Sequence, residues 1–193
     1  MRRSKAPYPV YTDEDLMRCI AQGQEQAFDQ LYQRYSGRML NYFYRMLNHQ
    51  EDVAHDFLQE LFIRIIEKPH LYDPTKKFST WLYAIASNMV KNEYRRRDVR
   101  KIMSNHGDMA HLTVSELMDE LRIDRETFEG VLQNELTRLS ENHREVFVLR
   151  FQEGMSIREI SQIMTCSEGT VKSRIFYALK KLANSLKAFD PRV

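Results

Sequence analysis

The sequence predicts an all-α protein with two helical domains joined by a flexible acidic linker, the C-terminal domain being a helix-turn-helix. Only six Gly and five Pro occur among 193 residues, so few positions interrupt a helix. Residues 91–101 contain six basic residues against two acidic ones, whereas residues 104–135 contain eight acidic residues against two basic ones. We expect the N-terminal domain at 12–102, the linker at 103–134 and the helix-turn-helix domain at 135–188.

Four helices are expected in the N-terminal domain. Thr12 is an N-cap followed by three acidic residues, which suit the positive end of a helix dipole. A long aromatic helix begins near Gln26, and a third helix spans 51–67 with apolar residues at helical spacing. The fourth begins near Phe78 and continues into the arginines at 95–97. The apolar stripes of these helices predict one shared core.

Residues 155–182 have the spacing of a helix-turn-helix. Ser156 and Glu159 form a capping box at the start of a short helix. A three-residue break at 165–167 follows, and its last residue, Ser167, caps a second helix. A preceding helix, from Glu135 to about Phe151, is expected to close the core. The second helix has one apolar face that we expect to pack, made of Val171, Ile175, Ala178, Leu179 and Leu182.

The opposite face of that second helix is polar and basic. No acidic residue occurs between Glu168 and Asp190, so this face suits a negatively charged groove. The alternative is an ordinary helical hairpin with a solvated, lysine-rich surface. The candidate DNA contacts are Thr170, Lys172, Ser173, Arg174, Tyr177 and Lys181.

A second candidate nucleic-acid surface comprises the fourth helix and the proline-rich loop before it. Asn and Arg side chains suit base edges and phosphates, and they follow one another along the outside of this helix. The candidates are Lys76, Lys77, Asn88, Lys91, Asn92, Arg95 and Arg96. Tyr72, Tyr83 and Tyr94 could stack on unpaired bases, but for each one a buried ring is the favoured interpretation.

Asp56, Gln59 and Glu60 share one strip of the third helix. From spacing alone, a solvated strip in which Glu60 pairs with Arg64 is favoured over a partner interface.

Catalytic function is not favoured. Asp52, His55 and Asp56, together with Gln59 or Glu60, are metal-ligand types at helical spacing, but no second Glu-x-x-His motif completes a bundle site. There is no glycine-rich phosphate loop and no nucleophile elbow. We therefore expect no catalytic residue, no metal and no cofactor.

Two cysteines, Cys19 and Cys166, are too few for a disulfide framework, which fits a reducing cytoplasm. The N-terminal prolines and the lack of a long apolar run predict neither a secretory peptide nor a membrane span. We expect a cytoplasmic protein.

Three motifs in order resemble those of bacterial RNA polymerase sigma factors of the extracytoplasmic-function group. Residues 56–62 (DFLQELF) resemble the family's polymerase-binding helix, and residues 78–88 (FSTWLYAIASN) resemble its promoter-melting segment. Residues 167–174 (SEGTVKSR) resemble its recognition helix. The resemblance covers nearly the whole chain outside the termini and linker.

The resemblance implies roles for these residues. Asp56, Gln59 and Glu60 would contact the beta-prime clamp of core RNA polymerase, so the strip becomes an interface. The loop at 69–77, with Asn88 and Asn92, would hold the nontemplate strand and a flipped base of the minus-10 element. Ser173, Arg174 and their neighbours would read the minus-35 major groove. The implied partners are core RNA polymerase through its beta-prime clamp and beta flap, promoter DNA, and an anti-sigma factor.

The chain departs from the family pattern at the helix-turn-helix. Thr165 occupies a turn position at which Gly or Asn would tolerate positive φ more easily. Phe176 and Tyr177 replace more polar or basic residues, which removes potential phosphate contacts.

The function implied is that of a promoter-specificity subunit. The alternative is a free-standing helix-turn-helix regulator with an N-terminal sensor or dimerisation bundle, and a third class is a metalloenzyme. Specific promoter binding that requires core polymerase would distinguish the first from the second.

Overall fold

The computed structural model describes residues 11–103 and 125–186, and these residues form helices and turns with no strand. This confirms the all-α fold class. The helices are α1 Asp13–Ala21, α2 Glu25–Met46, α3 Glu51–Glu67, α4 Phe78–Met103, α5 Arg125–Thr137, α6 Glu141–Phe147, α7 Ile157–Met164 and α8 Glu168–Ser185. A 3-10 turn at Pro69–Leu71 precedes α4, and a π turn at Val148–Gln152 follows α6.

The N-terminal helices form as the sequence indicates. Thr12 caps α1 by accepting a hydrogen bond from the Asp15 backbone, and the Asp15 side chain completes a capping box. Helix α2 continues without a break at Gly37 and packs against both α1 and α3. Their apolar faces meet in a core of large buried side chains that includes Leu31, Phe43 and Leu61.

The C-terminal helices also follow the expected pattern at the helix-turn-helix. Ser156 and Glu159 form the capping box of α7, and Ser167 caps α8 by accepting a bond from the Thr170 backbone. Between them, Thr165 adopts the left-handed conformation with φ 52° and ψ 52°. The turn therefore has the positive φ that the sequence pattern implied.

Two local expectations in this domain are wrong. Helix α5 begins at Arg125, inside the stretch assigned to the linker, and α5 and α6 are separate helices rather than one. Ser140 breaks the helix because its backbone is extended, which lets it act as the N-cap of α6. The rest of the predicted acidic linker, residues 104–124, lies outside the described residues.

Leu179 was predicted to pack, but its side chain is 42% exposed. The residues of α8 that do pack are Val171, Ile175, Ala178 and Leu182. At about 100° per residue, Leu182 lies about 20° from Val171 around the helix axis, whereas Leu179 lies about 80° away. Leu179 is thus at the edge of the buried stripe.

The two helical parts pack directly against each other. Helix α4 packs against α7, and α2 contacts α6. A single cluster of buried apolar residues runs from Leu16 and Phe78 in the first part to Ile160 and Val171 in the second. A smaller cluster around Leu136 holds α5 against α6 and α8.

Candidate nucleic-acid interface

Helix α4 presents a continuous polar strip. Asn88, Asn92 and Arg95 are exposed, and Lys91 is half-buried at the edge of the strip. These positions recur at three- and four-residue spacing, which places them on one side of the helix. Arg96 is exposed one position further round. The structure thus brings the candidate side chains of this helix together on one surface.

The loop before α4 contributes two further cations. Lys76 and Lys77 are exposed, with Lys76 3.7 Å from the carboxylate of Asp73. Asp73 also accepts hydrogen bonds from the backbone and hydroxyl of Thr75, and these bonds lower its pKa. The loop is therefore shaped by its own side chains and holds both lysines beside the start of α4.

The three candidate tyrosines are buried, as favoured from the sequence. Tyr72, Tyr83 and Tyr94 are 7%, 0% and 7% exposed. Their hydroxyls donate to the backbone oxygens of Lys76 and Met46 and, for Tyr83, to the carboxylate of Glu153. Burial is the main cause that raises the pKa of all three. None of them has a ring face free for base stacking.

Trp81 is the available aromatic side chain on this surface. It is half-buried and lines an open cleft of about 520 Å³ between α4 and α7. Lys76, Lys77 and Arg158 lie around the same cleft. Its ring packs against Tyr72 and Phe78, and its place in the cleft depends on how α7 is docked.

The outer face of α8 carries the second candidate surface. Lys172, Ser173, Tyr177 and Lys181 are exposed, while Thr170 and Arg174 are partly buried. Thr170 and Ser173 hydrogen-bond within the first turns of the helix. Lys181 donates to the backbone oxygen of Arg138 at 2.8 Å. All six candidates therefore belong to one helix face or its edges, with Phe176 60% exposed among them.

Two buried glutamates at the contact between the domains were not predicted from the sequence, because their partners lie in the other domain. Glu145 and Glu153 have side chains only 4% exposed, and each lies within 4 Å of a cationic side chain. Their partners are cations and tyrosine hydroxyls of α2 and α4. One weak sign of Glu153 was present in the sequence, because it directly precedes a glycine, Gly154. In the structure this glycine has a left-handed φ of 71° and turns the chain.

The strip on α3 is exposed. Asp56 and Gln59 face solvent, and Glu60 forms the predicted pair with Arg64 at 2.5 Å. Both members of that pair are about half exposed, so the pair itself adds little stability. The strip therefore presents two acidic groups and an amide on a rigid helix, beside the exposed Ile63.

Two negative observations apply to the described residues. In residues 11–103 and 125–186, His, Cys, Asp and Glu side chains do not gather in a group of three that could hold a metal ion. Across the same two ranges, each helix lacks either the length or the apolar character needed to cross a membrane.

These features define a helical DNA-binding architecture: a helix-turn-helix docked beside a bundle with its own polar and basic face. Residues 31–100 match the family model of sigma-70 region 2, and residues 130–182 match that of sigma-70 region 4. The chain is 30% identical over 184 residues to the RNA polymerase sigma-H factor of Pseudomonas aeruginosa, covering 91% of this chain and 94% of that protein. It is equally similar, at 30% over 184 residues, to the ECF RNA polymerase sigma-E factor of Haemophilus influenzae, with 91% and 96% covered.

Two solved structures have a similar fold. The structure of CnrH in complex with the cytosolic domain of CnrY matches with a TM-score of 0.68 and 27% identity, covering 92% of this chain and 99% of that chain. The sigma factor RpoE in complex with the anti-sigma factor NepR from Bartonella quintana shares the fold, with a TM-score of 0.66, 21% identity and 83% and 96% coverage.

The chain belongs to the extracytoplasmic-function group of RNA polymerase sigma factors. It directs promoter-specific initiation of transcription with RNA polymerase. The alternative of a free-standing regulator is not favoured, because both regions matched are sigma-factor regions.

Proposed function

We propose that this sigma factor divides its work between three surfaces: the α3 strip for core polymerase, the α4 surface for the minus-10 element, and the α8 surface for the minus-35 element. The observation that carries the proposal is that the candidate residues of each set gather on one side of one helix or on the loop leading into it, with Lys172 at the far edge of the α8 surface. The corresponding domains are residues 12–102 and 135–188, with helix α5 extending the second toward the linker.

The α4 surface suits a single strand. Asn88 and Asn92 can donate to and accept from base edges, while Arg95 and Arg96 can bind phosphates. Lys76 and Lys77 extend the positive surface to the cleft beside Trp81. Flipping a base costs a few kcal/mol, and contacts of this kind can offset that cost.

The α8 surface suits a duplex. Its exposed face is basic and free of acidic residues beyond the first turn, so it fits the major groove electrostatically. Thr170, Ser173 and Arg174 supply base-edge donors, whereas Lys172 and Lys181 lie where phosphates would pass. Phe176 and Tyr177 add apolar area in place of charge.

The α3 strip suits a protein partner. Asp56, Gln59 and Glu60 project from the middle of a helix whose other side is buried at Leu58 and Leu61. A rigid helix with exposed acids fits a basic surface, here the beta-prime clamp, and the C-terminal domain would meet the beta flap.

Charge reversal at Asp56 tests the polymerase assignment. Asp56→Arg should weaken binding to core polymerase by at least about tenfold, because it places a cation against a basic partner surface. Glu51→Arg is the matched control, since that exposed residue lies about 140° away around the same helix. The measurement is the dissociation constant of the full chain for core polymerase, together with transcription from a cognate promoter. Equal affinities for the two variants would remove the strip from the interface.

The remaining parts of the proposal concern partners and location. The neighbours CnrH and RpoE were solved with CnrY and with an anti-sigma factor, and we infer that a protein of that kind also holds this chain inactive. The chain would act in the cytoplasm without cofactor or metal and would carry out no covalent chemistry itself. Catalysis belongs to the polymerase.

A further inference from the structure

We propose that His143 of α6 binds a backbone phosphate of promoter DNA, in a phosphate site that lies beside the outer face of α8. Three side chains of α8 complete this phosphate site: Arg174, Tyr177 and Lys181. The ligand is a phosphodiester group of the DNA strand that borders the major groove. The inference rests on the proposed assignment of the α8 surface to the minus-35 element, and it adds α6 to the elements that contact DNA.

His143 lies in the first turn of α6 and is half-buried beside α8. Its ring centroid is 6.3 Å from that of Tyr177, whose side chain is 56% exposed. Burial is the main cause that lowers the pKa of His143, and the charges of Arg174 and Lys181 lower it further. These two cations are therefore close enough to share an anion with the imidazole.

Ser140 orients the imidazole ring. Its hydroxyl oxygen lies 2.8 Å from Nδ1 of His143. When that hydroxyl donates to Nδ1, the neutral ring carries its proton on Nε2, and when Nδ1 is protonated the same hydroxyl oxygen accepts. Nε2–H is thus a hydrogen-bond donor in both protonation states. It binds a phosphate more strongly when the ring is a cation, because charge-assisted hydrogen bonds are the stronger ones.

The acidic residues of α6 lie on the other side of that helix. Glu141 and Glu145 are each two positions from His143, which places them about 160° away around the helix axis. The side chain of Glu145 is only 4% exposed. On α8, the sequence contains no acidic residue between positions 168 and 190. The faces of α6 and α8 that meet at His143 therefore carry positive charge.

The turn between α5 and α6 holds the last cation of the phosphate site. Lys181 donates a hydrogen bond to the backbone oxygen of Arg138 at 2.8 Å. The nearby carboxylate of Glu135 is paired with the Arg138 guanidinium at 2.6 Å. The ammonium of Lys181 is thus held two residues from Ser140, and the acid of this turn is already matched by a cation.

The size of the major groove places the phosphate site at a strand backbone. The groove is about 12 Å wide, and an α-helix with its side chains is about 10–12 Å across. When α8 fills the groove, a side chain beside its outer face meets phosphates at the border of the groove rather than base edges. His143 is such a side chain, because it adjoins the outer face at Tyr177.

A phosphate bound here would favour the protonated ring. In the free chain, burial and the cations at positions 174 and 181 oppose protonation of His143. The negative charge of a phosphate acts in the opposite direction, so DNA binding raises the pKa of His143. By linkage, DNA binds more tightly as the pH falls through the pKa of the DNA-bound chain, and the gain is complete below the pKa of the free chain.

The first test measures the pKa of His143 in the free full-length chain with and without DNA. The imidazole resonances are titrated by nuclear magnetic resonance, and the resonance that is missing from His143→Gln identifies His143 among the six histidines. The probe is a duplex of about 20 base pairs at low salt, because phosphate contacts do not depend on sequence. We expect the duplex to raise the pKa of His143 by at least about 0.5. An unchanged pKa would overturn the proposal.

The second test uses holoenzyme assembled with wild-type chain, His143→Gln or His143→Lys. The dissociation constant for a cognate promoter duplex is measured between about pH 8 and pH 5.5, where a histidine changes charge. Relative to His143→Gln, the wild type should bind about threefold more tightly at the lower pH and equally at the higher pH. His143→Lys, which keeps its charge, should bind more tightly than His143→Gln at both.

The control for this test is His55→Gln, because His55 is exposed on α3 in the other domain. It should keep the pH dependence of the wild type. The same pH dependence for wild type and His143→Gln would overturn the proposal. So would equal affinities of His143→Lys and His143→Gln at the higher pH.

The salt dependence separates a phosphate contact from a purely structural role. Each phosphate that is neutralised steepens the slope of log affinity against log salt by about 0.9. The slope for His143→Lys holoenzyme should therefore be steeper than that for His143→Gln by about that amount. A structural role would change affinity without changing the slope, so equal slopes contradict the phosphate site.

Failure of the phosphate site can be told apart from failure of the α8 assignment. If Ser173→Ala lowers promoter-specific transcription while His143→Gln keeps the pH dependence of the wild type, the phosphate site is wrong and the α8 assignment stands. If DNA raises the pKa of His143 but Ser173→Ala leaves promoter use unchanged, the phosphate site stands and the minus-35 assignment of α8 is wrong.

Discussion

At the scale of single residues, two side chains determine the geometry of the helix-turn-helix. Thr165 ends α7 in the left-handed region, where a β-branched residue is strained. Glu159 lies in the first turn of the same helix, where its carboxylate accepts hydrogen bonds both from the N-cap Ser156 and from Lys77. The capping box at Glu159 therefore stabilises the start of the short helix α7, whereas the left-handed conformation of Thr165 strains its end.

Relief of the strain at Thr165 should stabilise the protein. Asn adopts positive φ more readily, so Thr165→Asn is expected to raise the free energy of unfolding by about 1 kcal/mol. Urea denaturation followed by circular dichroism measures this. A lower stability for Thr165→Asn would contradict the interpretation.

The stabilising effect of Glu159 should depend on pH. Burial opposes ionisation, but hydrogen bonds from Lys77 and Ser156 outweigh it and lower the pKa of Glu159 to about 2. Because this pKa lies below the ordinary value of 4.5, the stabilisation is complete above about pH 4.5 and lost as the pH falls toward 2. The unfolding free energies of wild type and Glu159→Gln should therefore converge over that window. A constant difference from pH 7 to pH 2.5 would argue against it.

At the scale of elements, two glycines with open space around them play opposite roles. Gly37 lies in the middle of α2, whereas Gly154 has φ 71° at the turn that presents Glu153. In neither case would an added Cβ meet a neighbour within 4 Å. The two positions therefore differ in backbone conformation and not in the space available to a side chain.

Alanine substitutions should therefore have opposite signs. Gly37→Ala is expected to stabilise the chain by about 0.5–1 kcal/mol because alanine favours helix and restricts the unfolded chain. Gly154→Ala should destabilise it by about 1–2 kcal/mol, since alanine resists the left-handed conformation. Chemical denaturation of the two variants in parallel makes each the control for the other. The same sign for both would show that the turn at Gly154 is not a constraint.

At the scale of the whole molecule, the two domains share one hydrophobic cluster in the free chain. At its edges, buried carboxylates of the C-terminal domain pair with partly exposed cations of the N-terminal domain. Separating the domains would leave those carboxylates without these partners. A folded unit of this kind unfolds cooperatively even though it consists of two helical parts.

Wild-type chain should thus unfold in a single transition in urea. Trp81 fluorescence reports the cleft, and far-ultraviolet circular dichroism reports all the helices, so their midpoints should coincide. In the triple variant Glu145→Gln/Glu153→Gln/Glu159→Gln, which removes the carboxylates that pair with cations of the other domain, the fluorescence change should occur at lower urea than the loss of helix. The control variant Glu25→Gln/Glu51→Gln/Glu67→Gln, which changes three exposed carboxylates, should keep coincident transitions. Separate transitions in the wild type would mean that the shared cluster does not couple the domains.

Much of the fold could be predicted from the sequence because its signals are local. The bounds of α3, the capping box at Ser156 and the positive φ at Thr165 depend only on neighbours within a few residues. The break at Ser140 was missed because Leu136 and Leu139 continue an apolar pattern across it. The polar faces of α4 and α8 could likewise be predicted from helical periodicity.

The sequence by itself determined an all-α chain with a helix-turn-helix and the motifs of a sigma factor, since helix propensity, capping and periodicity are properties of short segments. Only the tertiary structure decided which charges meet. Glu145 and Glu153 contact Tyr42, Tyr83 and Lys91, which lie far away in sequence. A buried carboxylate is compatible with folding only where distant side chains supply its partners, and no local pattern specifies that arrangement.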